Sequence, residues 1–134
     1  MNWTLEVVIV PVSDVDRAKD FYADKLGFHV DHDTQPAPGI RICQLTPPGS
    51  GCSIVIGEGA IPKMEPGYLK GLQLVVSDLK RAHAELVERG VEVSDIQVLP
   101  GPTTEGDPLN NNGFAFFDDP DGNSWAIQQI SNRA

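Results

Sequence analysis

The sequence predicts an α+β fold assembled from two tandem β-α-β-β-β units, and three observations carry that prediction. The phrase VSDVDRA at residues 12–18 returns as VSDLKRA at 76–82. The stretches IRICQLTPPGSGCSIVI (40–56) and NGFAFFDDPDGNSWAIQ (112–128) also read alike, each as a strand, a Pro- and Gly-containing turn and a second strand. The whole chain has 134 residues, the length of one ordinary domain, so the two copies are expected to share a core rather than fold apart.

Each unit begins with an apolar, β-branched run of strand length, LEVVIVPV (5–12) or LQLVV (72–76). Ser13 and Asp14, or Ser77 and Asp78, then supply side-chain oxygens that can cap the first free N–H groups of a helix. In the first helix Val15, Ala18, Phe21, Tyr22 and Leu26 recur at helical spacing; in the second, Leu79, Ala82, Leu86 and Val87 do so. Gly27 and Gly90 stand where a left-handed residue ends a helix at little steric cost, and FHVDHD (28–33) or VEVSDI (91–96) resumes the strand rhythm. The hairpins described above complete the units, which span about 4–57 and about 70–130. Residues of about 58–69, within GEGAIPKMEPGYLKG, have the Gly and Pro density of a connector. LPGPTTEGDPLNNN (99–112) reads as a long irregular loop, either a functional lid or a disordered segment.

Composition limits the partners. A net charge of −9 repels phosphate backbones and acidic lipid surfaces, so nucleic acid is not an expected partner. No apolar run reaches membrane-spanning length and MNWTLEVV lacks the pattern of a signal peptide, so no membrane association and a cytoplasmic location are expected. Cys43 and Cys52 lack CxxC spacing and read as small buried residues. No GxSxG elbow is present, PPGSG lacks the context of a phosphate loop, and no catalytic residue is identified. HVDHD (29–33) is the one dense group of metal-type donors. Strict alternation would put His29, Asp31 and Asp33 on one face and Val30 and His32 on the other, so the two histidines would point apart at a solvated strand edge. His83 reads as a solvated or capping residue of the second helix.

The two tandem units, the VSDxxRA helix starts, the phrase FYADKLGF (21–28) and DPDGNSW (119–125) before the last strand together resemble the vicinal oxygen chelate superfamily. That superfamily includes glyoxalase I, extradiol dioxygenases, and fosfomycin and bleomycin resistance proteins, and the resemblance covers almost the whole chain. It implies a single domain of two units side by side, their mixed sheet curling into an open cup, commonly completed as a homodimer; an open sheet edge also needs covering. The resemblance also implies a protein of bacterial type. Metal-dependent relatives hold their ion with His and Glu, a pair from each unit. The matching positions here are Val7, Val55, Gly71 and Ala126, with Glu58 the acid nearest to Val55. Alkyl groups and hydrogen cannot coordinate a divalent ion, so no metal and no cofactor are expected.

What remains is the lining of the cup. By the period of two, Val8, Val10 and Val12 face the first helix while Val7 and Ile9 face the cup; Leu72, Leu74 and Val76 face the second helix while Gly71, Gln73 and Val75 face the cup. In the last strand Trp125 and Ile127 take the helix side, and Ala126 and Gln128 the cup, with Phe114 or Phe116 as an aromatic wall. The expected ligand-binding set is therefore Ile9, Val55, Gln73, Phe114, Ala126 and Gln128, and the expected partner a small, largely apolar organic molecule such as a drug or secondary metabolite. Two alternatives stand beside it: an enzyme of the glyoxalase or dioxygenase kind (a lyase, isomerase or oxygenase) with non-standard catalytic residues, and a structural dimer whose cup is filled by its own side chains, with the glutamines paired to backbone or to each other.

Overall fold

In the computed structural model, which describes residues 1–59, 61–102 and 106–133, the α+β class holds. The first half gives β1 (Val7–Ile9), α1 (Val15–Asp20), β2 (His29–Ala37), β3 (Ile40–Thr46) and β4 (Ser53–Glu58). The second gives β5 (Lys70–Val76), α2 (Leu79–Glu88), β6 (Gln97–Val98), β7 (Gly113–Asp118) and β8 (Ser124–Gln129). Each half forms one four-stranded mixed sheet of the same order, β1-β4-β3-β2 and β5-β8-β7-β6, with the first and last strands parallel and the others antiparallel. The chain divides into two compact units, Met1–Leu69 with Asp119–Asn123 and Lys70–Asp118 with Ser124–Ala134. No described helix is long and apolar enough to cross a membrane.

The repeated SD phrase works identically in both copies. The Asp14 carboxylate accepts from the Arg17 N–H at 3.1 Å and Asp78 from the Arg81 N–H at 3.1 Å, each from an extended backbone that starts the helix. Val15, Ala18, Phe21 and Tyr22 are buried under the first sheet, as are Leu79 and Leu86 in the second unit. Val87, expected on the same stripe, is instead 55% exposed.

The two helices differ by one residue. Gly27 stands thirteen positions after Asp14, whereas Gly90 stands twelve after Asp78. The first copy absorbs its extra residue in a π-helical turn, Phe21–Lys25, which continues α1 and closes with the Leu26 N–H donating to the Phe21 carbonyl at 3.1 Å. Widening the helix turns the consecutive rings of Phe21 and Tyr22 both inward, edge to face at 5.3 Å, with Phe28 stacked on Tyr22 at 5.7 Å. Gly27 and Gly90 then adopt φ of +77° and +81°, the left-handed geometry that ends both helices.

Residues 91–96, expected as a strand, form none. The Ser94 N–H does donate to the Phe116 carbonyl, but the return bond goes from the Phe116 N–H to the Ser94 hydroxyl, a side chain standing where a ladder carbonyl would be. Pairing resumes only at Gln97 and Val98.

The DPDGN turn (119–123) belongs with the first unit. Asp119, 5% exposed, accepts from the Tyr22 hydroxyl (2.7 Å), the Asn123 side chain (2.8 Å) and the backbone N–H groups of Asp121 and Asn123. Asn123, fully buried, also donates to the Pro11 carbonyl and accepts from the Leu69 N–H. Asp121 accepts from the Ser13 hydroxyl at 2.6 Å and from Arg17 at 3.1 Å. In the irregular loop, residues 103–105 lie outside the described residues. The part from 107 to 112 is fastened within its own unit: Asn110 accepts from Ser131, the Asn111 N–H donates to the Gln129 carbonyl, and Asn112 donates to the Pro102 carbonyl.

Candidate functional site

The expected residues fall on the sheet face opposite the helix in each unit. In the second unit the ladder sets Gln73 opposite Ala126 and Phe114 opposite Gln128, and Phe116 joins them opposite Ala126. Residues directly opposite share a face, so Gln73, Val75, Ala126, Gln128, Phe114 and Phe116 make one patch. The two Phe rings are parallel to within 9° with centroids 6.2 Å apart, and Phe116 is 37% exposed. The glutamines are joined: Gln73 Nε2 donates to Gln128 Oε1 at 2.7 Å, and Gln128 Nε2 donates to the Asn111 carbonyl at 2.7 Å. Asn111 presents that carbonyl from a left-handed backbone, φ +67°, which asparagine tolerates better than most residues. Gln128 is thereby fixed, and exposed Gln73 keeps its Oε1 as an acceptor facing outward.

In the first unit Ile9 and Val55 are direct partners on parallel strands, with Gln44 beside Val55 and His32 beside Gln44 on the same face. Strict alternation misread this face. Val30 pairs with Leu45 and His32 with Gln44, so Asp31 is the extra residue of a β-bulge and the side chains change sides there. His29 and His32 consequently share the face away from the helix, whereas Asp33 lies on the helix side, opposite buried Cys43. There Asp33 takes a forked pair of bonds from Arg41 (3.1 and 2.9 Å) and one from Lys19 of α1 (2.8 Å), while Arg41 also reaches Asp16 at 2.6 Å. The Arg41 guanidinium first, and the Lys19 ammonium after it, hold the Asp33 carboxyl far below the usual carboxylate range.

Opposite that strap, Asp31 collects the polar groups of the other face. His29 Nδ1 lies 3.0 Å from Asp31 Oδ1, Gln44 Nε2 donates to Oδ2 at 3.3 Å, the Thr46 hydroxyl donates to Oδ2, and the Thr46 and Ser53 oxygens are 2.5 Å apart. The Thr46 bond, then the His29 bond, lowers the Asp31 carboxyl from its ordinary value. Sequence reading passed over Gln44, Thr46 and Ser53 because only the pairing of β3 with β2 and β4 sets them beside Asp31.

The four positions that match the superfamily's metal ligands do not fit a divalent ion. Val7, Val55, Gly71 and Ala126 offer no nitrogen, oxygen or sulfur donor, and among the described residues no group of three His, Cys, Asp or Glu side chains converges as a metal site. Gly71 has a backbone role instead. It is the unpaired residue between Lys70, opposite Ser124, and Leu72, opposite Trp125, with φ +98°, a conformation that a side chain would strain even though the space beside it is open. Its glycine is therefore explained by the backbone it adopts. A hollow of about 410 Å³ lies elsewhere in the first unit, along the connector, among Pro11, Val12, Glu58, Ile61, Lys63 and Met64.

Comparison with known proteins extends these observations. The family model for the Glyoxalase/Bleomycin resistance protein/Dioxygenase superfamily matches residues 4–127. The crystal structure of TnmS3, an antibiotic binding protein from Streptomyces sp. CB03234, is 36% identical, covers 97% of this chain and 98% of its own, and superposes with a TM-score of 0.74. A glyoxalase/bleomycin resistance protein from the same Streptomyces is 38% identical, covers 94% of this chain and 100% of its own, and gives a TM-score of 0.71. The uncharacterized protein YwkD of Bacillus subtilis (strain 168) is 32% identical over 122 residues, 85% of this chain and 87% of its own length.

Proposed function

Because the chain belongs to the glyoxalase/bleomycin resistance protein/dioxygenase superfamily, we propose that it is a metal-independent binding protein for a small, largely apolar organic molecule, of the drug or secondary-metabolite kind. The observation that carries the reading is the second unit's patch: parallel Phe114 and Phe116 beside a hydrogen-bonded Gln73–Gln128 pair. Parallel ring planes suit an aromatic or flat aliphatic ligand, and Gln73 Oε1 adds one directional polar contact. Ala126 leaves room between Gln73 and Phe116. Ile9 and Val55 supply an apolar surface in the first unit. The likeness to an antibiotic binding protein at 36% identity supports a binder over an enzyme.

Binding of an aromatic probe, followed by residue-resolved NMR, tests the site. Shifts at residues 73, 114, 116, 126 and 128, weakened several-fold or more by Phe114→Ala, are the expected result. Shifts confined to the connector hollow would move the site there and overturn this placement. Elemental analysis should find no stoichiometric metal; about one ion per chain, lost on chelation together with thermal stability, would restore the enzyme reading. The proposal includes a cytoplasmic homodimer, the dimer supported by the nine-residue strand β2 at an open edge of its sheet, and light scattering that reports only monomer at micromolar concentration would count against the dimer.

A further inference from the structure

The hydrogen bonds around Asp31 have a direction. An ionised carboxylate only accepts, so the Thr46 hydroxyl proton is committed to Asp31. Ser53 must then be the donor in its 2.5 Å contact with Thr46. Gln44 turns its amide nitrogen to the same carboxylate, which leaves its Oε1 pointing away. The hydroxyl protons of Thr46 and Ser53 are thus spent inward, and Asp31 and Gln44 Oε1 offer acceptor oxygen at an anionic centre. That charge is weakly compensated: among the described residues the one ion-pair partner of Asp31 is His29, which is charged only when protonated. Arg41 of the same sheet and Lys19 of α1 are engaged on the opposite face by Asp33. Apolar Val7, Ile9 and Val55 lie on the same face as the acceptors, beside Ser53 and Gln44.

We propose that this face of the first unit recognises a protonated amine borne by an organic ligand, with Asp31 and Gln44 Oε1 accepting its N–H groups and Ile9 and Val55 against its hydrocarbon. The inference rests on the small-molecule binding reading above and narrows its ligand class to basic amphiphiles. Hydroxyl groups could use one acceptor, but an ammonium also answers the negative charge that only the His29 imidazole accompanies. The net charge of −9 adds a long-range attraction for cations.

Tyramine and para-ethylphenol, which differ only by the ammonium group, provide the test in an amide-resolved NMR titration. Tyramine is expected to bind on the order of tenfold more tightly, to shift residues 29–32, 44–46 and 53, and to lose that advantage in Asp31→Asn and in Gln44→Leu. Amide spectra and thermal unfolding like those of the wild type show that both variants fold, and para-ethylphenol should weaken far less than tyramine in each. Equal affinity of the two probes, or an amine advantage that survives both substitutions, overturns the amine inference while binding itself stands. Absence of any shift with either probe overturns both.

Discussion

The two units begin from nearly the same words and part company one residue later. Their helix caps are equivalent to the bond length, yet α1 is held from a distant segment of the chain and α2 by its own sheet. Around α1, the DPDGN turn brings Asp119 to the Tyr22 hydroxyl and Asp121 to Ser13 and Arg17. Around α2, buried Gln129 of β8 accepts from the Leu79 N–H at 2.9 Å and donates to Asp107 at 3.0 Å, tying the helix start to the fastened part of the loop. The sheet faces differ in the same way, an acceptor-lined polar surface in the first unit and an aromatic one in the second. A duplicated fold thus keeps what the local sequence specifies and diverges where distant residues complete the structure.

The largest effect that would break this comparison is expected from Asp119→Ala. It strands the Tyr22 hydroxyl, the Asn123 amide and two backbone N–H groups in a buried turn, and chemical denaturation should show a loss on the order of 3–5 kcal/mol. Gln129→Leu is the matching change in the second unit. It leaves one helix N–H unpaired, and the same measurement should lose about 1–3 kcal/mol. A larger loss from Gln129 than from Asp119 would reverse the asymmetry between the units.

A pH series sharpens the contrast further. The folded-state pKa of Asp33 is depressed below the unfolded carboxylate value of about 3.9, so its contribution is whole above that value and is lost as the pH falls below it. Denaturation measured stepwise downward from pH 5 should therefore steepen in the wild type and be flatter in Asp33→Asn, which removes the strap from the first unit only. The smallest expected effect is that of Glu85→Gln on α2. Its 3.5 Å pair with Arg81 joins two exposed side chains, and thermal unfolding should register less than about 0.5 kcal/mol.

Several features were legible in the residues alone. The repeat dictated two β-α-β-β-β units, the SD phrases placed both helix starts, and the period of two put Gln73, Ala126 and Gln128 together on one face. Each of these depends on neighbours within a few positions, where geometry is fixed by covalent spacing. Even the π turn left a trace, as the one-residue excess between Asp14 and Gly27 over Asp78 and Gly90. Periodicity failed wherever one residue was added to a regular element. At Asp31 the bulge reverses the sides of His32 and Asp33, and at Gly71 an unpaired residue interrupts the ladder with β8. Ser94 stops a strand by substituting its hydroxyl for a ladder carbonyl. A strand's side-chain parity is its own only while its partner keeps step; once the partner skips a residue, the hydrogen bonds across the sheet decide which face each side chain takes. That is why the aromatic patch could be read from the sequence, while the acceptor face around Asp31 emerged only with the pairing of β2 and β3.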